Sequence, residues 1–233
     1  MLKTVVVFGA SGSIGQAICA HFRAQEYLVI GVGRAESIEH SIIKWDGSAN
    51  AFSDGMRSLL GGAKVDAVVW AQGMNFNDDV DTFDLSEHLK MYEANVTYIL
   101  STLRALTNFD LLQEDARLCV ISSIWQNIAR QKKLSYCITK SALQGLVQSL
   151  SIDLGKHGKL INAVLPGALD TAMTKANLSQ EQISLLESTT PLGSLPNLTD
   201  VTGLVAYLCS PQNTGITGQF IAADRGFSNA RIL

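Results

Sequence analysis

Tyr136 and Lys140, in Tyr136-Cys137-Ile138-Thr139-Lys140, are the side chains of this chain best suited to move a proton. In a helix, four residues of separation puts them on one face, a turn apart. A tyrosine has an ordinary pKa of about 10 and is a poor acid or base at neutral pH. A neighbouring ammonium stabilises its phenolate, and Lys140 could supply that charge. The spacing alone is common. What adds weight is Ser123, thirteen residues before Tyr136, where a hydroxyl can hold a substrate oxygen. A second group is Gly9-Ala10-Ser11-Gly12-Ser13-Ile14-Gly15. Glycines there permit a tight turn and let backbone N–H groups approach a pyrophosphate, and a following helix N-terminus favours the same charge. A plain turn would also use glycine, but the first strand–helix junction is where a dinucleotide fold needs this one. A third is Arg34, after Val32-Gly33. An acid at that strand end would take the ribose 2′-hydroxyl of NAD. Here Glu36 lies two residues further on, and Arg34 can grip the 2′-phosphate of NADP, so NADP(H) is favoured over NAD(H).

The elements that must position these groups alternate along the chain. Continuous apolar runs over Leu2–Phe8, Tyr27–Val32, Val65–Trp70, Leu118–Ser122 and Leu160–Leu165 read as buried parallel strands, with shorter ones at Ser41–Trp45 and Gln219–Ala222. Helical spacing predicts helices over Ile14–Ala24, Asn50–Leu60, Leu134–Gly155, Ser179–Ser188 and Thr199–Cys209. One long helix is predicted over Leu85–Leu106, with Ser86 as its cap. The expected architecture is α/β: a single-domain, Rossmann-type, doubly wound parallel sheet of about seven strands over 1–233, with helices on both faces. Ligands in such sheets bind at the carboxyl ends of the strands, where the strand order reverses.

The chain has 233 residues, 47% apolar and 17% charged, with a net charge of -3. That balance disfavours general nucleic-acid and acidic-membrane binding. No apolar run is long enough for a transmembrane helix or a signal-peptide core. Cys19, Cys119, Cys137 and Cys209 have no C-x-x-C spacing, and His21, His40, His88 and His157 have no ligand spacing. Neither a disulfide framework nor a metal site is expected. A cytoplasmic protein with reduced thiols is. His88 and His157 read as surface helix residues.

Taken together, the motifs resemble the short-chain dehydrogenase/reductase family over almost the whole chain, from Lys3 to about Gly226. That family strings together a glycine-rich turn, an Asn-Asn-Ala-Gly segment, a helix Asn, a Ser, a Tyr-x-x-x-Lys and a Pro-Gly-x-x-x-Thr. This chain has Gly9 to Gly15, Trp70-Ala71-Gln72-Gly73, Asn95, Ser122-Ser123, Tyr136 to Lys140, and Pro166-Gly167-Ala168-Leu169-Asp170-Thr171. The resemblance implies Tyr136 as general acid in reduction and base in oxidation, with Lys140 on the nicotinamide ribose and lowering the tyrosine pKa. It implies Ser123 on the substrate oxygen and Asn95 holding a water in a proton relay. Gly9, Ser11, Gly12, Ser13, Ile14, Gly15, Ala71, Gln72 and Gly73 would contact the dinucleotide, as would Pro166, Gly167 and Thr171 at the nicotinamide end and Asp46 at the adenine edge.

The chain departs from the family pattern at three places. Ser13 replaces the middle glycine, with Gly12 one place earlier. Trp70 and Ala71 replace two asparagines. Asp224-Arg225-Gly226 replaces Asp-Gly-Gly. No catalytic group is lost, so an active enzyme is expected. The leading expectation is a ketone–secondary alcohol oxidoreductase. Thr171-Ala172-Met173-Thr174-Lys175 resembles the 3-oxoacyl carrier-protein reductases. A sugar, polyol or secondary-metabolite enzyme on the same scaffold is the alternative, and a non-catalytic cofactor-binding regulator is the alternative of another class. Trp125 and Asn127 either contact substrate or pack the loop after Ser123, and Met74 and Phe76 could line the pocket. Arg130, Lys132, Lys133 and Lys175 are read as a basic rim suited to an acidic or carrier-linked substrate. The family resemblance implies a homotetramer or homodimer built on the long helices.

Overall fold

The computed structural model describes residues 2–33, 42–44, 56–171, 174 and 178–229. Seven parallel strands form one sheet in the order β3-β2-β1-β4-β5-β6-β7. They are β1 (Thr4–Phe8), β2 (Leu28–Gly33), β3 (Ile42–Lys44), β4 (Val65–Trp70), β5 (Leu112–Ile121), β6 (Leu160–Pro166) and β7 (Phe220–Ala223). The order reverses between β1 and β4. The chain runs outward through β2 and β3, then returns to lie on the other side of β1. The crevice expected of such a sheet lies there, at the carboxyl ends of β1 and β4.

The apolar strands have period-two side-chain geometry but are buried on both faces. Val6, Phe8, Val68, Trp70, Leu118, Val120, Ala163 and Leu165 belong to one core cluster. Val5, Val7, Ala67, Val69, Cys119, Ile121 and Val164 belong to the other. Helix α2 (Leu85–Tyr92) leads into α3 (Tyr98–Asn108); the first cluster is completed by α3 and α4 (Leu134–Gly155), and the second by α1 (Ser13–Ala24) and α6 (Leu198–Leu208). Helix α5 (Gln180–Thr189) precedes α6.

The structure corrects several sequence expectations. The run Leu85–Leu106 is not one uniform α-helix. A π-turn, Glu93–Thr97, separates α2 from α3. Asp84, not Ser86, caps α2: its carboxylate accepts from the Glu87 N–H at 3.0 Å, and the Ser86 hydroxyl donates to the same oxygen at 2.6 Å. Strand β5 begins at Leu112, six residues before the expected Leu118. The polar stretch Gln113-Glu114-Asp115 hides its start, because pairing jumps from Val65–Leu112 to Ala67–Arg117. Of the expected helix Asn50–Leu60, the described part, 56–60, is helical. Helix α4 has the bounds the spacing predicts, and Ser179 caps α5 in a reciprocal pair with Gln182.

Candidate active site

The turn after β1 is shaped by two glycines. Gly9 has φ +76°, and a Cβ there would stand 2.4 Å from the Gln72 nitrogen. Gly15, in the first turn of α1, would place a Cβ 2.2 Å from the Gly9 oxygen. Both positions demand glycine by close backbone approach. Gly12 does not, since the nearest atom to its Cβ would be 3.5 Å away. The shifted glycine and Ser13 therefore leave the turn intact. The Gly12 N–H donates to the Gly9 carbonyl at 3.0 Å, and Gly12 begins α1 without a side-chain cap. Ser11, Gly12 and Ser13 are exposed and Ile14 is half-buried, so the open helix N-terminus faces the crevice edge.

The second wall is the segment after β4. Trp70 stands where the family pattern has an asparagine, and it is a core residue. Its ring stacks on Phe8 at 5.9 Å, and its Nε1–H donates to the buried Thr102 Oγ1 on α3 at 2.8 Å. The Ala71 N–H continues the ladder to the Phe8 carbonyl at 2.9 Å. Gln72 lies against Gly9, and a Cβ on Gly73 would lie 3.3 Å from Asn95 Oδ1 and 3.8 Å from Lys140 Nζ. Asn95 sits in the π-turn, a helix irregularity often found at functional sites. Its Oδ1 accepts from the Met74 N–H at 2.7 Å. Its amide protons go to the Met74 carbonyl at 3.0 Å and to Thr139 Oγ1 at 2.9 Å. Asn95 thus ties the loop after β4 to the turn of α4 just before Lys140.

Tyr136, Lys140 and Ser123 come together at the end of β5. Lys140 is 4% exposed. Its Nζ donates to the Ile121 carbonyl at 3.1 Å and lies 5.6 Å from the Tyr136 ring centre. Burial pulls its pKa down to about 8. The Tyr136 phenol is pushed up to about 12 by burial, offset in part by a hydrogen bond with Ser123. Ser123 Oγ also accepts from the Trp125 N–H at 3.3 Å. Neighbouring Ser122 donates to Gln126 Oε1 at 2.7 Å.

On the far side, the buried Pro166 ends β6 and the Gly167 N–H donates to the Ala223 carbonyl at 3.2 Å. A Cβ on Gly167 would press on Asp224 at 3.0 Å. Arg225, in place of a glycine, holds φ +55°. It is anchored by bonds to Asp200 at 2.9 Å and Ser194 at 2.6 Å. Thr171 Oγ1 lies 3.2 Å from Thr174 Oγ1. Ile124, Trp125, Leu186, Leu195, Pro196 and Phe227 line a mostly apolar pocket beside Ser123. Arg34, Asp46 and Lys175 lie outside the described residues.

Two residues that matter here were not singled out as such by their spacing. Asp78 is 3% exposed, and its carboxylate receives the Ser135 N–H at 3.0 and 3.3 Å, holding the first turn of α4 from another part of the chain. Lys133 belongs to the expected basic rim but is buried. Its ammonium donates to Asn75 Oδ1 at 2.7 Å and to the Phe76 carbonyl at 3.3 Å. Burial first, then Arg130, holds its pKa below the usual lysine range. Arg130 and Lys132 are exposed. Met74 and Asn127 are also exposed, while Phe76 and Trp125 are half-buried. His88 is half-buried rather than a free surface group, with Nδ1 2.8 Å from Ser135 Oγ, and His157 is exposed. A lone acid in a loop and one lysine in a basic run carry no periodic signal.

A family model described as Enoyl-(Acyl carrier protein) reductase matches residues 9–228. The chain belongs to the short-chain dehydrogenase/reductase family. It is an oxidoreductase of that family. An L-rhamnose 1-dehydrogenase (NADP(+)) of Thermoplasma acidophilum is 34% identical over 153 residues, which span 65% of this chain and 58% of that protein. A 3-oxoacyl-[acyl-carrier-protein] reductase of Vibrio cholerae is 26% identical over 238 residues, 96% of each. The solved aldohexose dehydrogenase of Thermoplasma acidophilum superposes with a TM-score of 0.89 at 21% identity, covering 100% of this chain and 96% of that one. Among the described residues no helix is long and apolar enough to cross a membrane. No group of three or more His, Cys, Asp or Glu among them is placed to hold a metal ion.

Proposed function

We propose that this chain is an NADP(H)-dependent enzyme, one domain over 1–233, that interconverts a ketone and a secondary alcohol. The observation that carries the reading is the convergence of Tyr136, Ser123 and the buried Lys140 ammonium beside the β1–β4 crevice, with Nζ 5.6 Å from the Tyr136 ring centre. The residues of the crevice fit a dinucleotide. Gly9 and Gly15 leave no room for a Cβ, α1 opens without a side-chain cap, and the buried Gln72 amide has no partner among the described residues. Gly9, Ser11, Gly12, Ser13, Ile14 and Gly15 would hold the pyrophosphate, Arg34 the 2′-phosphate and Asp46 the adenine edge. Ala71, Gln72 and Gly73 would hold the middle of the molecule. Pro166, Gly167, Thr171, Tyr136 and Lys140 would hold the nicotinamide end. When bound, nicotinamide supplies or takes the hydride.

The protein's part is to orient and to move a proton. Ser123 holds the substrate oxygen. Tyr136, kept as a neutral phenol by burial, donates its proton to that oxygen in reduction and takes it back in oxidation. The Lys140 ammonium stabilises the phenolate that remains. Both amide protons of Asn95 are committed, so a relay water at this residue would bind one of its oxygens.

The 26% identity with a 3-oxoacyl-[acyl-carrier-protein] reductase, and the likeness of Thr171-Ala172-Met173-Thr174-Lys175 to that group, support a ketone of the 3-oxoacyl kind. Relatives acting on sugars keep a sugar or polyol as the second reading. Exposed Arg130 and Lys132 suit an acidic or carrier-linked substrate, in which case kcat/KM falls as salt rises. A homotetramer or homodimer would cover the exposed Leu85, Leu89 and Tyr92 of α2 and Leu134 and Ile138 of α4. Four free cysteines suit the cytoplasm.

A panel of ketones and alcohols with NADPH and NADH tests the reading. Tyr136→Phe should bind dinucleotide yet lose about 10²–10⁴-fold in turnover. Arg34→Ala should weaken NADPH by about ten- to a hundredfold, the loss of a charge-assisted bond, and spare NADH. Near-native turnover in the first variant, or equal loss for both cofactors in the second, would overturn the corresponding assignment.

A further inference from the structure

Gln72 stands where the family's Asn-Asn-Ala-Gly pattern has an alanine. Both polar atoms of its side chain, Oε1 and Nε2, are buried and have no hydrogen-bond partner among the described residues. The other buried amides are satisfied. Asn95 bonds Met74 and Thr139, Asn162 bonds Ile216 and Gln219, Asn213 bonds Leu208 and Ile216, and Gln126 takes the Ser122 hydroxyl. A buried polar group without a partner is destabilising, and an alanine would carry no such cost. The glutamine therefore needs a reason that lies outside the chain's own contacts.

Its place supplies one. The Gln72 backbone is pressed against Gly9 of the phosphate turn, and the next residue, Gly73, lies beside Lys140 Nζ and Asn95 Oδ1. Gln72 thus stands between the end of the crevice suited to pyrophosphate and the end suited to the reacting ring. The ligand group between those ends is a ribose. A phosphate oxygen could accept from Nε2 but would leave Oε1 orphaned. A hydroxyl both donates and accepts, and a sugar with adjacent hydroxyls satisfies both carboxamide atoms.

We propose that the Gln72 carboxamide is a recognition group for a ribose hydroxyl of the bound dinucleotide, its donor and its acceptor both left unpaired among the described residues. The inference rests on the dinucleotide reading above. It predicts that the side chain costs stability in the free protein and returns affinity in the complex.

The test uses Gln72→Met, which keeps the length without the amide, and Gln72→Ala, which restores the family's residue. Thermal unfolding of the free variants is compared with the affinities of NADPH and NADH, read by cofactor fluorescence. The free variants should unfold at the same temperature as wild type or higher. Their dissociation constants for NADPH and NADH should both rise by about tenfold, the worth of one or two neutral hydrogen bonds. Reduced nicotinamide mononucleotide and ADP, titrated separately, identify which ribose is read, because each carries one of the two and only the fragment carrying it weakens. Unchanged affinity for both dinucleotides together with a lower unfolding temperature overturns the proposal and makes the amide part of the fold's own packing. Weakened NADPH with unaltered NADH also overturns it, since the contact would then be to the 2′-phosphate. If wild-type protein binds neither dinucleotide, it is the cofactor reading that fails.

Discussion

Replacing Lys140 by methionine should make the free protein more stable at neutral pH and abolish a pH dependence that wild type carries. Lys140 is buried, and burial lowers its pKa from the usual 10.5 to about 8. Between those values the unfolded chain binds a proton that the folded chain has lost, so wild-type stability rises with pH across that window. Below about pH 8 both states are protonated and the full penalty is present. A difference of 2.5 pKa units corresponds to about 3 kcal/mol. Integrated from pH 7 to pH 9.5, the wild type regains about 2 kcal/mol relative to Lys140→Met. The methionine loses the bond to the Ile121 carbonyl at 3.1 Å, which shifts the whole difference but not its slope. Urea midpoints of the two proteins at pH 7, 8, 9 and 9.5 measure this, and the gap between them should close by about 1 M at the m-values usual for such chains. Working below pH 10 avoids the window from 10.0 to about 12 in which Tyr136, its pKa raised, makes the folded state lose stability as pH rises. A gap that stays constant with pH would refute the assignment of Lys140 as a buried cation held at a cost. On the proposed mechanism, in which the Lys140 ammonium stabilises the Tyr136 phenolate, kcat/KM for ketone reduction should fall above about pH 8.

Gly15→Ala would press a Cβ to 2.2 Å from the Gly9 oxygen, whereas Gly12→Ala meets its nearest atom at 3.5 Å. The first should lose about 1–3 kcal/mol in urea unfolding, and dinucleotide affinity with it, while the second unfolds like wild type. Asp78→Ala removes the carboxylate that receives the Ser135 N–H and should cost about 0.5–2 kcal/mol, as losing a helix cap does. Asp78→Asn keeps an acceptor oxygen and should recover most of that stability; equal losses in the two variants would argue against a capping role.

Local chemistry in the chain determines a good deal of this protein. Apolar β-branched runs specify strands buried on both faces, and the bounds of α4 follow from spacing alone because its apolar residues keep a helical period up to the closing Gly155. Gly9 and Gly15, and the Tyr136–Lys140 pair, are legible because each depends on a separation of a few residues along one turn or one helix. Tertiary structure decides the rest, because it depends on groups far apart in sequence. The π-turn at Glu93–Thr97 turns Asn95 toward Met74 and Thr139, 21 and 44 residues away, and no helical period announces it. Trp70 belongs to the core rather than the crevice because Thr102 answers its N–H across 32 residues. Lys133 reads as one more surface cation until Asn75, 58 residues earlier, takes its ammonium. Arg225 holds a backbone conformation that favours glycine because Asp200 and Ser194 anchor its guanidinium. Burial, which lowers the Lys140 pKa and raises that of Tyr136, is a property of the packed sheet and helices. The residue types carry only the ordinary values from which it shifts them.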